Sequence, residues 1–259
     1  MLEQLSKDYA GKVDIVGMNV DVSPDTASTL GIMAIPAIIF FKDGREVARE
    51  GKTTVPVREI SAPNGASVHL PPDFRPDFSL PPGSGRVRAI EIIPNQLFTR
   101  HVTAEPSPEL NKMAVIDRHS GRGGLGLGFV RGLGLKRGAV ASTIAHDSHN
   151  IVVAGTNDDD MRAAVAEIAR MGGGQVVVAG GEPIAMLALP IAGLVSDRPL
   201  EEVAPAAERV RAATHELGSP LHDPFMTLAF LALPVIPELR LTDRGLVDVE
   251  KMEIVPLYA

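Results

Sequence analysis

The sequence predicts a mixed α/β fold in two unequal parts, and three observations carry that reading. Strand-length, β-branched apolar segments recur along most of the chain. Between two of them lies TNDDDMRAAVAEIARMGGG, which has helical spacing and its own start and stop signals. A proline- and glycine-rich interval at 53–85 interrupts this patterning, so the chain divides into 1–52, a connector at 53–85, and 86–259. With 259 residues, 45% of them hydrophobic, the chain can bury a core in one or two domains.

In the first part, Leu2 and Leu5 lie one helical turn apart and Glu3 and Lys7 pair at i,i+4, which predicts an opening helix. KVDIVGMNV at 12–20 is β-branched and apolar, as a strand would be. A short segment from Ser23-Pro24 then leads into IMAIPAIIFF, a continuous apolar run of the kind found in buried strands. Asp43-Gly44 predicts a tight turn into REVARE, a partly exposed strand. This order of helix, NVD strand, helix, Ile-Pro strand and FKDG hairpin resembles the second half of thioredoxin, with Pro36 where that family has its cis-proline. The chain has no cysteine, so the resemblance implies a packing half-domain without dithiol chemistry.

The connector has little periodic hydrophobicity, and its Phe74 and Phe78 are candidate anchors onto a neighbouring surface. Beyond it, RVRAIEIIP, FTRHVTAE, KMAVIDRH, AVASTIA and NIVVAG each read as a strand. The helix that follows has Thr156 or Asn157 as its cap and three aspartates at the positive end of its dipole. Met161, Val165 and Ile168 share one face, and glycines 172–174 stop it. QVVVAG and PIAMLALPI are further strands, and a helical pattern spans about 200–217, where Pro205 should kink it or start a second helix.

Composition removes several functions. A net charge of −7 argues against nucleic acid, which needs a cationic face. No run of 18 apolar residues predicts a membrane span, and the chain reads as cytoplasmic. Zero cysteines exclude disulfides, thiolate nucleophiles and Cys-ligated zinc.

Two segments are candidates for chemistry. GRGGLGLGFVRGLGLKRG at 121–138 has eight glycines in eighteen residues, with four basic residues and no acid. Gly121, Gly123 and Gly126 spell G-x-G-x-x-G and Asp147 follows about twenty residues later, but the further glycines would cost a helix roughly 1 kcal/mol each. A close-packed or substrate-facing loop is the expectation. The second segment is AHDSHN at 145–150, a polar turn between apolar strands. Its His146, Asp147 and His149 could orient a water, bind a metal or bind a polar heterocycle, or could simply satisfy backbone groups. His119 is a possible companion.

From about residue 86 to 257 the sequence resembles the C-terminal domain of the metal-dependent adenine deaminases of the amidohydrolase superfamily. The segments that carry the resemblance are MAVIDRH, GLGFVRGLGLKRGAVASTIAHDSHNIVVAGTNDDDM, MGGGQVVV, LPIAGLVSD and DPFMTLAFLALPVIPELRLTDRGLVDV. It implies hydrolysis of adenine to hypoxanthine and ammonia at a binuclear Mn(II) or Fe(II) centre, with HDSHN facing the active site. The family's centre is built on a barrel that begins with an H-x-H, and the seven histidines here include no such pair. The expectation is therefore a deaminase fragment with no metal site or cofactor of its own, inactive alone. The alternatives are a purine-binding or regulatory module and a partner that completes the enzyme with a separate barrel chain. Adenine or a related purine is the expected small-molecule partner, and homo-oligomerisation is possible.

Overall fold

The computed structural model describes residues 7, 10–49, 52–54 and 67–259. Two compact units result, Met1–Ser61 and Ala62–Ala259.

In the smaller unit, Pro24 sits in the first turn of helix α1 (Pro24–Thr29), where a missing N–H costs nothing. The Ile35–Pro36 peptide is cis, as the thioredoxin resemblance implies. Strands β1 (Ile39–Lys42), β2 (Arg45–Arg49) and β3 (Lys52–Thr53) form an antiparallel sheet in that order. Lys42 pairs with Arg45 across Asp43 and Gly44, whose φ values of 52° and 74° are what a two-residue type I′ hairpin requires.

Two expectations for this unit are not met, and the opening helix around Leu2 and Leu5 lies outside the described residues. Residues 13–19 form no strand, and of the apolar run only Ile39–Lys42 does. Both segments are largely exposed, Met33 at 96% and Ile35 at 70%. A strand apolar on both faces is stable when layers cover both, and the described residues of this unit supply too few.

The larger unit is an eight-stranded sheet in the order β11-β10-β8-β9-β6-β7-β4-β5. Its strands are β4 (Val87–Ile92), β5 (Thr99–Ala104), β6 (Leu110–Ile116), β7 (Leu125–Arg131), β8 (Ala139–Ser142), β9 (Ile151–Gly155), β10 (Gly174–Ala179) and β11 (Glu182–Ala188). All neighbours are antiparallel except β4 and β7. Strands β8 and β9 are buried at every position because both faces are covered, and the period of two sorts their residues. Ala139, Ala141, Ile151, Val153, Val176 and Val178 meet Met161, Val165 and Ile168 of helix α2 (Asp158–Met171). Val140, Val152, Ala154 and Val177 face the opposite layer. That layer holds helix α3 (Leu200–Glu216), helix α4 (Pro224–Leu231) and a small sheet of β12 (Leu239–Thr242), β13 (Gly245–Asp248) and β14 (Glu253–Val255).

Helix α2 is bounded as its sequence demands. Asn157 accepts from the Asp160 N–H at 2.8 Å, and Gly172 closes it in the left-handed region at φ 74°. Helix α3 is a correction, since it runs through Pro205 as one element. Pro205 stands near the N-terminal end, so only one backbone bond, to the Glu201 carbonyl, is forgone. Residues 67–85 have no regular secondary structure, yet Phe78 is fully buried in the α2-side core and Phe74 packs against the same core.

The glycine-rich segment is a second correction. It is not a loop throughout, because its middle is strand β7, and no helix opens at Gly126, which removes the dinucleotide reading. A Cβ at Gly126 would lie 1.9 Å from the Thr242 carbonyl oxygen, so its glycine lets the β12–β13 turn lie directly on the sheet.

Candidate functional site

The candidate site is the turn between β8 and β9, held by the ends of β6 and β8 and by helix α4. Strand β6 runs on into Asp117, Arg118 and His119, and its register with β9 brings this end beside the turn. The His119 Nε2 lies 2.8 Å from the Ser148 carbonyl oxygen. A carbonyl can only accept, so this nitrogen carries the proton.

Within the turn, the His149 N–H donates to the Ala145 carbonyl at 2.6 Å, and the Ala145 N–H donates to His149 Nδ1 at 3.3 Å. The second bond requires Nδ1 unprotonated, so the proton of the neutral ring sits on Nε2. Burial pushes the His149 pKa down, and His146, Arg118 and His119 add to this against an opposing effect of Asp147. The His146 ring stands edge-on to His149, with centroids 5.7 Å apart, and rests on Phe230 of α4 at 4.7 Å. Asp147 and Ser148 are exposed. Below them, buried Asn150 donates to Asp243 Oδ1 at 3.3 Å, while its own Oδ1 has no partner among the described residues.

Arg118 was not singled out by the sequence, yet it organises the site. It is 2% exposed and donates Nε to the His149 carbonyl at 2.5 Å, Nη2 to the Ala192 carbonyl at 2.9 Å, and Nη1 to the Ser67 carbonyl. No acid pairs with it among the described residues, and burial lowers its pKa. The one sequence signal was a cation following a fully buried strand, in AVIDRH.

The structure therefore brings His119, His146, Asp147 and His149 to one place, but not as a metal cage. Among the described residues no group of three or more His, Asp or Glu side chains could hold a metal ion. His149 Nδ1 and His119 Nε2 are already committed to backbone groups. The residues present do not fit a binuclear centre.

Residues 91–253 match the family model described as adenine deaminase C-terminal domain. The chain belongs to that family. The adenine deaminase of Methanothrix thermoacetophila is 48% identical over 228 residues, covering 83% of this chain and 40% of that protein. The adenine deaminase of Moorella thermoacetica is 48% identical over 233 residues, covering 83% and 39%. Adenine deaminase 2 of Carboxydothermus hydrogenoformans is 47% identical over 233 residues, covering 84% and 40%. The chain thus spans about 40% of the length of these adenine deaminases. Residues 1–60 match the thioredoxin family model, which adds a second similarity to that of the deaminase domain. Among the described residues no helix is long and apolar enough to cross a membrane.

The state of His149 gives this domain a pH dependence. A histidine with a depressed folded-state pKa stabilises the fold fully above its unfolded pKa of about 6.5, and that stability is lost as pH falls toward the folded value. Thermal unfolding should therefore occur at progressively lower temperature below about pH 6.5. His149→Asn should flatten this dependence, since asparagine tolerates the left-handed φ of 50° and does not titrate. The residual slope would belong to His101, whose pKa burial also lowers, and at more acid pH to Asp117, Glu167 and Asp248, whose carboxyls are also held below their ordinary range.

Proposed function

We propose that the larger unit serves a hydrolase that converts adenine and water to hypoxanthine and ammonia. In this reading it presents the His146–His149 turn to a purine held by a separate metal-bearing barrel, and that barrel supplies Mn(II) or Fe(II). One observation supports it above the others: 48% identity over 83% of the chain to a protein named adenine deaminase, of which this chain spans only 40%. The donor geometry agrees with this division of labour, because the histidines here are held by backbone groups and do not converge as ligands.

The turn's own contribution is then polar recognition and proton handling. The His149 Nε2–H, the His146 ring and the exposed Asp147 carboxylate offer a donor, an imidazole and an acceptor to the edge of a heterocycle. Deamination needs a proton delivered to the departing amine, and a histidine at such an edge is suited to hold it. Arg118 acts as a positioning residue through the His149 carbonyl. The thioredoxin-like unit has no cysteine and enters this reading as a packing element.

The test incubates the purified chain with Mn(II) and adenine, with and without the separately produced barrel region of the Moorella thermoacetica relative, and follows adenine absorbance. Turnover is expected only in the mixture, falling at least roughly a hundredfold with His146→Ala or His149→Ala, the usual scale of a lost acid/base group. Turnover by the chain alone would show that its own residues build the metal centre. Equal turnover by the barrel without this chain would remove the role given to the turn.

A further inference from the structure

We propose that the free edge of β11 pairs with the same strand of a second copy of this chain, so that two eight-stranded sheets continue into one across a two-fold axis. The two edges of the sheet differ in how they are finished. At the β5 edge the Thr99 N–H donates to the Pro237 carbonyl at 3.1 Å, the Glu238 N–H donates to the Thr99 carbonyl at 3.2 Å, and the His101 N–H donates to the Glu238 carboxylate at 2.7 Å. The chain closes that edge itself.

Strand β11 pairs with β10 alone. The Leu189 N–H donates to the Gly173 carbonyl, and the Gly174 carbonyl turns the other way, accepting from Thr143 at the end of β8. Alternation then aims the N–H and C=O of Leu187 and Ala185 at β10, and those of Met186 and Ala188 outward. No described residue hydrogen-bonds to the outward groups. Such an edge is normally blunted by lysine, by proline or by shortness. β11 has seven residues and no lysine, and its Pro183 and its bulge both lie before Ala185. Ile184 and Met186 beside the open edge are 46% and 37% exposed.

Charge and register identify the occupant. Laid antiparallel about Met186, two copies exchange both backbone bonds at that residue and set Ile184 of one against Ala188 of the other, so apolar meets apolar. The same operation carries Glu182 of each copy to the Ala188 end of its mate. Glu182 stands opposite Ala179, which packs on the α3-side core. On that side of the Ala188 end, Arg198 and Arg209 line a hollow of about 400 Å³ against one acid, Glu202. Arg209 pairs with no acid among the described residues, and Arg198 reaches Asp197 only at 3.9 Å. Each Glu182 thus arrives beside a cation that lacks a partner. An unrelated extended peptide could use the backbone edge, but a second copy also matches the apolar residues and the charge.

Association requires no turnover and stands independently of the deaminase reading. In sedimentation velocity of the intact chain, the weight-average mass should rise from one chain toward two over roughly 1–100 µM. Met186→Lys sets two ammonium groups opposite one another and should raise the dissociation constant at least about tenfold. Glu182→Arg and Arg209→Glu should each weaken the dimer several-fold, and the double variant should recover most of the loss. That charge exchange decides the matter even if Met186→Lys fails to fold. Phe41→Glu, on exposed β1 of the smaller unit, should change nothing. A chain that stays single to about 100 µM would overturn the proposal. So would a dimer indifferent to Met186→Lys, a charge exchange without recovery, or a dimer lost with Phe41→Glu, which would place association on the smaller unit.

Discussion

Replacing Gly126 with alanine should cost the larger unit more than about 4 kcal/mol, or undock the β12–β13 turn altogether, a loss of the size reserved for overpacking against an unyielding neighbour. The new Cβ would stand 1.9 Å from the Thr242 carbonyl oxygen and 2.8 Å from the Gly245 nitrogen, both backbone atoms that move only with the hairpin. Fully buried Leu239, Leu241 and Leu246 ride on that hairpin. Each buried leucine contributes about 1.5–3 kcal/mol, so displacing the hairpin forfeits several such increments. Two neighbouring glycines calibrate the effect. At Gly128 the nearest atom to a new Cβ is the Leu246 Cδ2 at 3.1 Å, the end of a flexible side chain, and at Gly124 it is the Asp117 Cβ at an ordinary 3.9 Å. Urea unfolding of the three alanine variants should rank Gly126→Ala far below Gly128→Ala, with Gly124→Ala close to wild type. Equal midpoints for Gly126→Ala and Gly124→Ala would refute the sheet contact.

Arg118→Ala should destabilise the same unit by about 3–5 kcal/mol, because it removes the hydrogen bonds of a charged donor to the carbonyls of Ser67, His149 and Ala192, each worth about 1.5–3 kcal/mol. The guanidinium also fills space. A Cβ on Gly193 would lie 3.0 Å from its Cζ, so that glycine is packed directly on the plane. Arg118→Lys should recover only part of the loss, since a single ammonium cannot reproduce a planar fork reaching three carbonyls in three directions. Hydrogen exchange distinguishes this from general weakening. The His149 amide, bonded to the Ala145 carbonyl, should lose protection well before the amides of β9. Uniform loss across both would argue against a specific anchor for the turn.

These two residues mark the boundary of what a single sequence can convey. Helix α2 was legible in full: Asn157, the three aspartates, the 3.6 spacing of Met161, Val165 and Ile168, and Gly172 are all local signals, and each does in the fold what its chemistry prescribes. The hairpin at Asp43-Gly44 was legible for the same reason. Strand β7 was not, because its glycines carry no propensity for strands and answer to a hairpin more than a hundred residues later. The apolar run at 32–41 misled in the opposite direction. Its composition matched a central strand, but composition does not report whether covering layers are present.

The candidate site divides along the same line. By itself the sequence determined the family, the absence of thiol chemistry, and a polar turn at 145–150, since each depends on which residues are present and on their order. Only the tertiary structure decided that His119 closes on Ser148, that the His149 ring accepts at Nδ1, and that Arg118 anchors the turn. Those facts rest on contacts between residues far apart in the chain, whose energies depend on burial and direction. Neither quantity exists until the sheet has assembled and excluded water from around them.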